Sequence, residues 1–211
     1  VIAEHSSYAK VIHERFNDLD WLRNNRLHPG NIYSALEVYS NGHGKQGKLS
    51  WNPVQSVIRS LSSSIDLCFK NLVPTNKNIY LGIDCSGSMS DDNYRPLKVA
   101  GFMAALLRKC ELFSSVTFFD DKVRTDLSLP NGSYDEISNY VLRARSGSTN
   151  LSLPFHDALN RNLDLDAFVI ITDNETWVGG HPQLAFEKYL KAKNPNTKLI
   201  VVAVTATDYS I

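Results

Sequence analysis

After Pro74 the chain alternates short, almost wholly apolar runs with longer segments whose apolar residues recur every three or four positions. The first pattern is that of a strand buried on both faces, the second that of an amphipathic helix. Strands are expected at Ile79–Asp84, Val116–Phe119, Ala167–Thr172 and Lys198–Val204, the last two buried, with Lys122–Leu129 as an edge strand. Between them, helices are expected over Pro96–Cys110, Leu153–Asn162 and Pro182–Lys193. Ser133 and Glu136 form a capping box ahead of Ile137, Tyr140 and Val141. Such alternation specifies an α/β fold with a doubly wound, mostly parallel, Rossmann-like sheet, whose ligands sit beyond the carboxyl ends of the strands.

Residues 1–77 read differently, as a helical segment. Tyr8, Ile12 and Phe16 recur every four residues, Trp21 and Leu22 mark a second short piece, and His28-Pro29 opens a third helix that Asn41-Gly42 ends. The strongest helix has Asn52 as its cap and Pro53 at its first position. Its apolar face runs through Val54, Val57, Ile58, Leu61, Ile65, Cys68, Phe69 and Leu72. Between these helices lies a glycine-rich basic loop, Gly42-His43-Gly44-Lys45-Gln46-Gly47-Lys48, suited either to phosphate approach or to a solvated turn. The division expected is 1–77 helical and 78–211 α/β. Because the chain opens without methionine and stops just after an apolar run, it reads as an excised piece or a processed product, with parts of the natural protein missing.

Composition narrows the function classes. With 22 basic and 22 acidic residues there is no global field to recruit nucleic acid. Residues 1–77 carry nine basic and six acidic residues, the remainder thirteen and sixteen. Three cysteines, none in a CxxC pair, point to a reducing compartment. With no apolar run near the ~18 residues of a membrane span and no leader pattern, the chain reads as cytoplasmic. Three glycosylation sequons, at Asn131, Asn150 and Asn174, are of a kind frequent by chance.

The chemistry gathers at strand ends. Asp84-Cys85-Ser86-Gly87-Ser88 offers a carboxylate and two hydroxyls at alternate positions, which a loop folding over the strand end can turn toward one point. Asp173 ends the apolar strand at 167–172, and Thr149 stands just before a helix. Hard oxygen donors of low total charge suit Mg2+, with Mn2+ or Ca2+ as alternatives, whereas softer metals favour sulfur or imidazole. The competing reading makes the same residues turn and cap formers.

This set resembles the metal-ion-dependent adhesion site of von Willebrand factor A domains, whose Asp-x-Ser-x-Ser, Thr and Asp are matched by Asp84, Ser86, Ser88, Thr149 and Asp173. Asp173-Asn174-Glu175-Thr176, Gly179-Gly180 before His181-Pro182, His28-Pro29, Gly42-His43-Gly44 and Gly47-Lys48-Leu49 narrow the resemblance to the Ro autoantigen (TROVE) family. It implies a ribonucleoprotein component that binds small non-coding RNA, such as Y RNA or misfolded RNA, through a ring of helical repeats closed by the A domain. Residues 1–77 would be the end of that ring, and a helix after Val204 would be missing. The resemblance also implies that the ion's open position takes a carboxylate from an acidic protein ligand, without catalysis.

Glu175 and Trp177 are candidates for the rim of the ion site. Arg23, Arg26, His43, Lys45 and Lys48 are candidates for RNA phosphate contacts, weighed against simple solvation. His181 is expected to cap the following helix, and His156 with Asp157 to form a surface pair. Two other functions remain open: a magnesium-dependent phosphohydrolase with Asp173 or Glu175 as base, and a purely structural domain closing the ring. The first lacks both a P-loop and the acid two residues after Asp84 that an aspartyl-phosphate phosphatase would carry. The sequence does not specify an oligomeric state.

Overall fold

A computed structural model describes residues 6–44, 46–144, 147–173 and 178–204, with Asp92 and Asn93 described in backbone alone. The chain divides into two compact units. One runs through Val73 and includes residues 133–135; the other comprises 74–132 and 136 onward.

The first unit is helical. Helices α1 (Ser7–Phe16), α2 (Leu19–Asn24), α3 (Pro29–Asn41) and α4 (Gln55–Phe69) each begin where local chemistry satisfies, or geometry exposes, their first N–H groups. Ser6 accepts from the Ala9 N–H at 3.2 Å, Asp18 from Asp20 and Trp21, and His28 Nδ1 from Gly30 at 3.1 Å. Gly42 closes α3 in the left-handed region (φ 73°), where a Cβ would lie 2.8 Å from the Trp51 carbonyl. Leu22, Ile32, Leu36, Val57, Leu61, Ile65, Cys68 and Phe69 form the buried core.

Two expectations fail in this unit. Tyr8 is exposed, and Ala9 is the buried residue of α1. Asn52 and Pro53 precede α4 instead of opening it: the Val54 N–H donates to the Tyr39 hydroxyl at 3.2 Å, holding 52–54 extended beside α3.

The second unit is a four-stranded parallel sheet in the order β2-β1-β3-β4, with β1 Ile79–Asp84, β2 Ser114–Phe119, β3 Ala167–Thr172 and β4 Lys198–Ala203. Helices α5 (Asp91–Cys110), α6 (Tyr134–Arg143, from residue 136 onward), α7 (Leu153–Asn160) and α8 (Pro182–Ala192) complete it. From β1 the chain crosses to β2 on one side and later to β3 on the other. The strand order therefore reverses between β1 and β3, and ligand crevices form beyond the carboxyl ends at such a point. Phe168 on β3 anchors the core, its ring 5.0 Å from Phe155 on α7 and 4.9 Å from Tyr189 on α8. Gly82 makes room for this packing, since a Cβ there would lie 2.8 Å from Ile170 and 3.3 Å from Pro154. The doubly wound α/β expectation holds.

Three details depart from it. Residues 122–129 form no strand; Val123 makes one isolated bridge to Phe119 because Asp120 accepts the Lys122 N–H at 3.0 Å and turns the chain back. Helix α5 begins at Asp91, five residues before Pro96, directly after a 3-10 turn at Gly87–Ser90. Strand β4 is an exposed edge rather than a buried strand, with Ile200 and Val201 each 49% exposed. Among the described residues no helix is long and apolar enough to cross a membrane.

Candidate metal centre

Each candidate ligand belongs to a segment that leaves the carboxyl edge of the sheet. Asp84 is the last residue of β1, and the chain turns at once because its Oδ1 accepts the Ser86 N–H at 2.9 Å. That turn brings Ser86 Oγ and Ser88 Oγ to 3.4 Å from each other. The backbone then ties this loop to its neighbours. The Cys85 N–H donates to the Phe119 carbonyl at 2.9 Å, and the Gly87 N–H to the Gly147 carbonyl at 3.1 Å. Through that second bond the segment carrying Thr149 lies against the one carrying Ser86 and Ser88. Val178 in turn donates its N–H to the Thr149 carbonyl at 3.2 Å. Asp173 directly follows β3, the strand beside β1.

Four of the candidates are out of solvent, Asp84 at 0% exposed, Ser86 and Thr149 at 1% and Asp173 at 3%, whereas Ser88 is half-buried. Burial pushes the Asp84 carboxyl up to about 6, and the charge of Asp173 pushes the same way. Hydrogen bonds from Ser86 and Thr172 oppose the shift. Thr172 Oγ1 donates to Asp84 Oδ2 at 2.7 Å, so both oxygens of the carboxylate are fixed in direction.

Whether these residues suit a divalent ion is a question of donor chemistry. Two carboxylates and three hydroxyls make an all-oxygen set of low charge, which matches a hard cation. The nearby thiol is no competitor: Cys85 is buried, donates to the Phe119 carbonyl at 3.2 Å, and has its pKa pushed up to about 12, by burial first and then by Asp120 and Asp84. The donors fit the ion.

The other sequence candidates separate. Glu175, Trp177 and Lys45 lie outside the described residues. Arg23 on α2 donates from Nε to Asn71 Oδ1 at 3.3 Å and stands 3.9 Å from Asp20. Arg26 follows α2 with φ 51° and an exposed side chain. His43 and Lys48 are exposed on a small hairpin closed by the His43–Ser50 bridge. His181 stands at the start of α8, but its carbonyl, not its ring, accepts the Leu184 and Ala185 N–H groups.

The expected His156–Asp157 surface pair does not form. His156 is exposed, while Asp157 turns inward and accepts from the Tyr80 hydroxyl at 2.7 Å and from Arg161 at 3.1 Å. Successive helical residues diverge by about 100°, so one faces solvent when the other faces the sheet.

Sequence reading missed Thr172, Asp120 and Arg124. A polar residue closing an apolar strand and an Asp followed four residues later by Arg were the available signals. Asp120 is fully buried and paired with Arg124 at 3.0 Å.

Comparison with known proteins agrees with the α/β fold. The family model described as the Ro60 vWA domain matches residues 78–211. The RNA-binding protein RO60 of Caenorhabditis elegans is 35% identical over 204 residues, 94% of this chain and 32% of that protein. Its namesake from Deinococcus radiodurans is 32% identical over 213 residues, 98% of this chain and 40% of that protein. The crystal structure of the Deinococcus radiodurans RO (RSR) protein superposes with a TM-score of 0.84 at 31% identity, covering 100% of this chain and 44% of that one. The chain thus spans less than half the length of each of these relatives.

Proposed function

The chain belongs to the Ro60 vWA domain family, and from that membership we propose that it is the divalent-ion-dependent ligand-binding part of a Ro-like, RNA-binding ribonucleoprotein protein. Asp84, Ser86, Ser88, Thr149 and Asp173 hold the ion, Mg2+ or alternatively Mn2+ or Ca2+. The observation that carries this reading is the gathering of two buried carboxylates at the strand-order reversal, in loops that are hydrogen-bonded to one another. When bound, the ion supplies a Lewis-acidic position for a carboxylate oxygen of an acidic protein partner.

The chain's residues bind and orient. Thr172 and the Ser86 N–H aim the two oxygens of Asp84. The hydroxyls of Ser86, Ser88 and Thr149 complete a shell whose low charge leaves the ion short of negative charge and receptive to an added carboxylate. A shell with only two carboxylates favours capture over phosphodiester hydrolysis, which draws on several carboxylates around paired metals. RNA, in the form of small non-coding species such as Y RNA or misfolded RNA, engages the helical ring of which residues 1–77 form the end. Within it Arg23, Arg26, His43, Lys45 and Lys48 meet phosphates. The RNA-binding relatives and the exposure of the basic hairpin support this part. The protein works in the cytoplasm, where the buried thiols Cys68 and Cys85 stay reduced.

Calorimetric titration of Mg2+ and Mn2+ into the protein and into Asp84→Ala tests the site, with thermal melts to confirm folding. Binding that is lost in the variant is expected. Failure of both ions to bind the wild type at millimolar concentration overturns the reading.

A further inference from the structure

Beside the proposed ligands lies an ion pair between a buried carboxylate and a half-buried guanidinium that contributes nothing to the donor set. Asp120, immediately after β2, is 0% exposed. Its Oδ1 accepts the Lys122 N–H at 3.0 Å and its Oδ2 accepts from Arg124 Nη1 at 3.0 Å. Arg124 is itself gripped from outside by Asp126, Nε to Oδ1 at 2.9 Å and Nη2 to Oδ2 at 2.7 Å. The guanidinium fork is therefore held from both sides, a geometry that lysine cannot reproduce.

The backbone of the same residue reaches the ion site. The Asp120 carbonyl accepts the Asn150 N–H at 2.9 Å. Gly147, at φ 62°, lies against the carboxylate so closely that a Cβ would stand 3.3 Å from Asp120 Cγ. The Gly147 carbonyl in turn accepts the Gly87 N–H from the Asp84–Ser88 loop. Thr149 lies between Gly147 and Asn150, so both ends of its short segment are fixed, one to Asp120 and one to the metal loop.

We propose that Asp120 and Arg124 are positioning residues: their ion pair is a latch that holds residues 147–150 in register with the Asp84–Ser88 loop and thereby sets the Thr149 hydroxyl among the ion's ligands. The last step rests on the ion site proposed above. The latch itself does not, because its hydrogen bonds stand in the protein alone.

Two readouts separate the two ideas. Arg124→Met keeps the aliphatic stem and removes the fork. Amide exchange at Asn150, followed by NMR without metal, should then become about tenfold faster or more. Mg2+ affinity should fall by about 10- to 100-fold, as when other outer-shell supports of metal ligands are removed. A merely stabilising pair would lower the melting temperature and leave the affinity unchanged. Thr149→Val supplies the sharper comparison: it should weaken Mg2+ binding in the wild type and add almost nothing in the Arg124→Met background, because the hydroxyl is already misplaced there.

Undiminished protection of Asn150 in Arg124→Met overturns the latch. A full, additive Thr149→Val penalty in that background overturns its action through Thr149. Where Mg2+ fails to bind the wild type, the ion reading and the step through Thr149 fall together, and exchange still decides the latch. If Arg124→Met does not fold, Asp120→Asn, which preserves shape and the Lys122 bond, carries the same expectations.

Discussion

A carboxylate with no exposed surface stays ionised only at a cost, and Asp84 is such a group. Its folded value of about 6 lies above the ordinary 3.8, with desolvation the leading cause. At pH below 3.8 the group is protonated in both folded and unfolded chains and contributes no difference. As pH rises from about 4 to about 6, the unfolded chain loses the proton first and the folded state loses stability. Above about 6 the loss is complete, amounting to up to about 3 kcal/mol at roughly 1.4 kcal/mol per pH unit. Asp84→Asn removes the ionisation while keeping the shape. In chelator at pH 7 it should therefore unfold at higher urea than the wild type, and the gain should vanish near pH 4; an Asn variant no more stable at pH 7 would refute this origin of the strain. At this scale the candidate site was most readable where its residues sit in one short string. Asp84, Ser86 and Ser88 could be picked out by spacing, and Thr149 and Asp173 by their places at segment ends. Thr172 bonds Asp84 across 88 residues and the Asp120 carbonyl meets the Asn150 N–H, contacts of which spacing carries no record, whereas the Asp120–Arg124 pair is local and its burial is what the sequence does not show.

Helices and strands were legible where one apolar face decides their burial. The spans of β1 and β3 follow directly from runs with no polar break, and the start of α3 follows from His28-Pro29. Failures came where a single tertiary hydrogen bond outweighed propensity. The Tyr39 hydroxyl holds residue 54 outside α4, and Asp120 bends 122–129 away from a strand. The burial of β4 was misjudged for another reason: apolar residues say that a strand has something to bury, not that a neighbour is present. Helix α7 shows how an element is fastened to the sheet. Asp157, on α7, accepts from Tyr80 on β1, while Arg161 bonds both Asp157 and the Thr117 hydroxyl on β2. Tyr80 is fully buried and its hydroxyl also interacts with the Thr117 side chain, so Asp157→Ala removes its carboxylate acceptor but leaves that contact, and should cost about 1–3 kcal/mol in urea unfolding. Tyr80→Phe removes the donor together with its need and should cost about 1 kcal/mol. The double variant should then cost no more than Asp157→Ala alone. Strict additivity would show that the two groups do not act on each other.

At the scale of the whole chain, charge governs how RNA would be met. Equal numbers of basic and acidic residues leave no long-range field, so association depends on local contacts within a Debye length of about 8–10 Å. Residues 1–77, with nine basic against six acidic, offer only a mild excess. Part of that excess is already engaged, since Arg23 bonds Asn71 and lies near Asp20. If Arg23, Arg26, Lys45 and Lys48 each neutralise one phosphate, single-stranded RNA binding should fall with salt at a log–log slope of about −3. Lys48→Ala should make that slope shallower by about 0.7 and weaken binding to different RNA sequences alike, because a phosphate contact carries no base information. Filter binding between 50 and 200 mM salt measures both quantities. A slope near zero would remove these residues from RNA recognition. A slope far steeper than −3 would demand basic groups beyond this set, drawn from the rest of a chain that spans less than half of its relatives' length. The α/β part is the more acidic one, with thirteen basic against sixteen acidic residues beyond residue 77, and such a balance repels phosphates rather than drawing them.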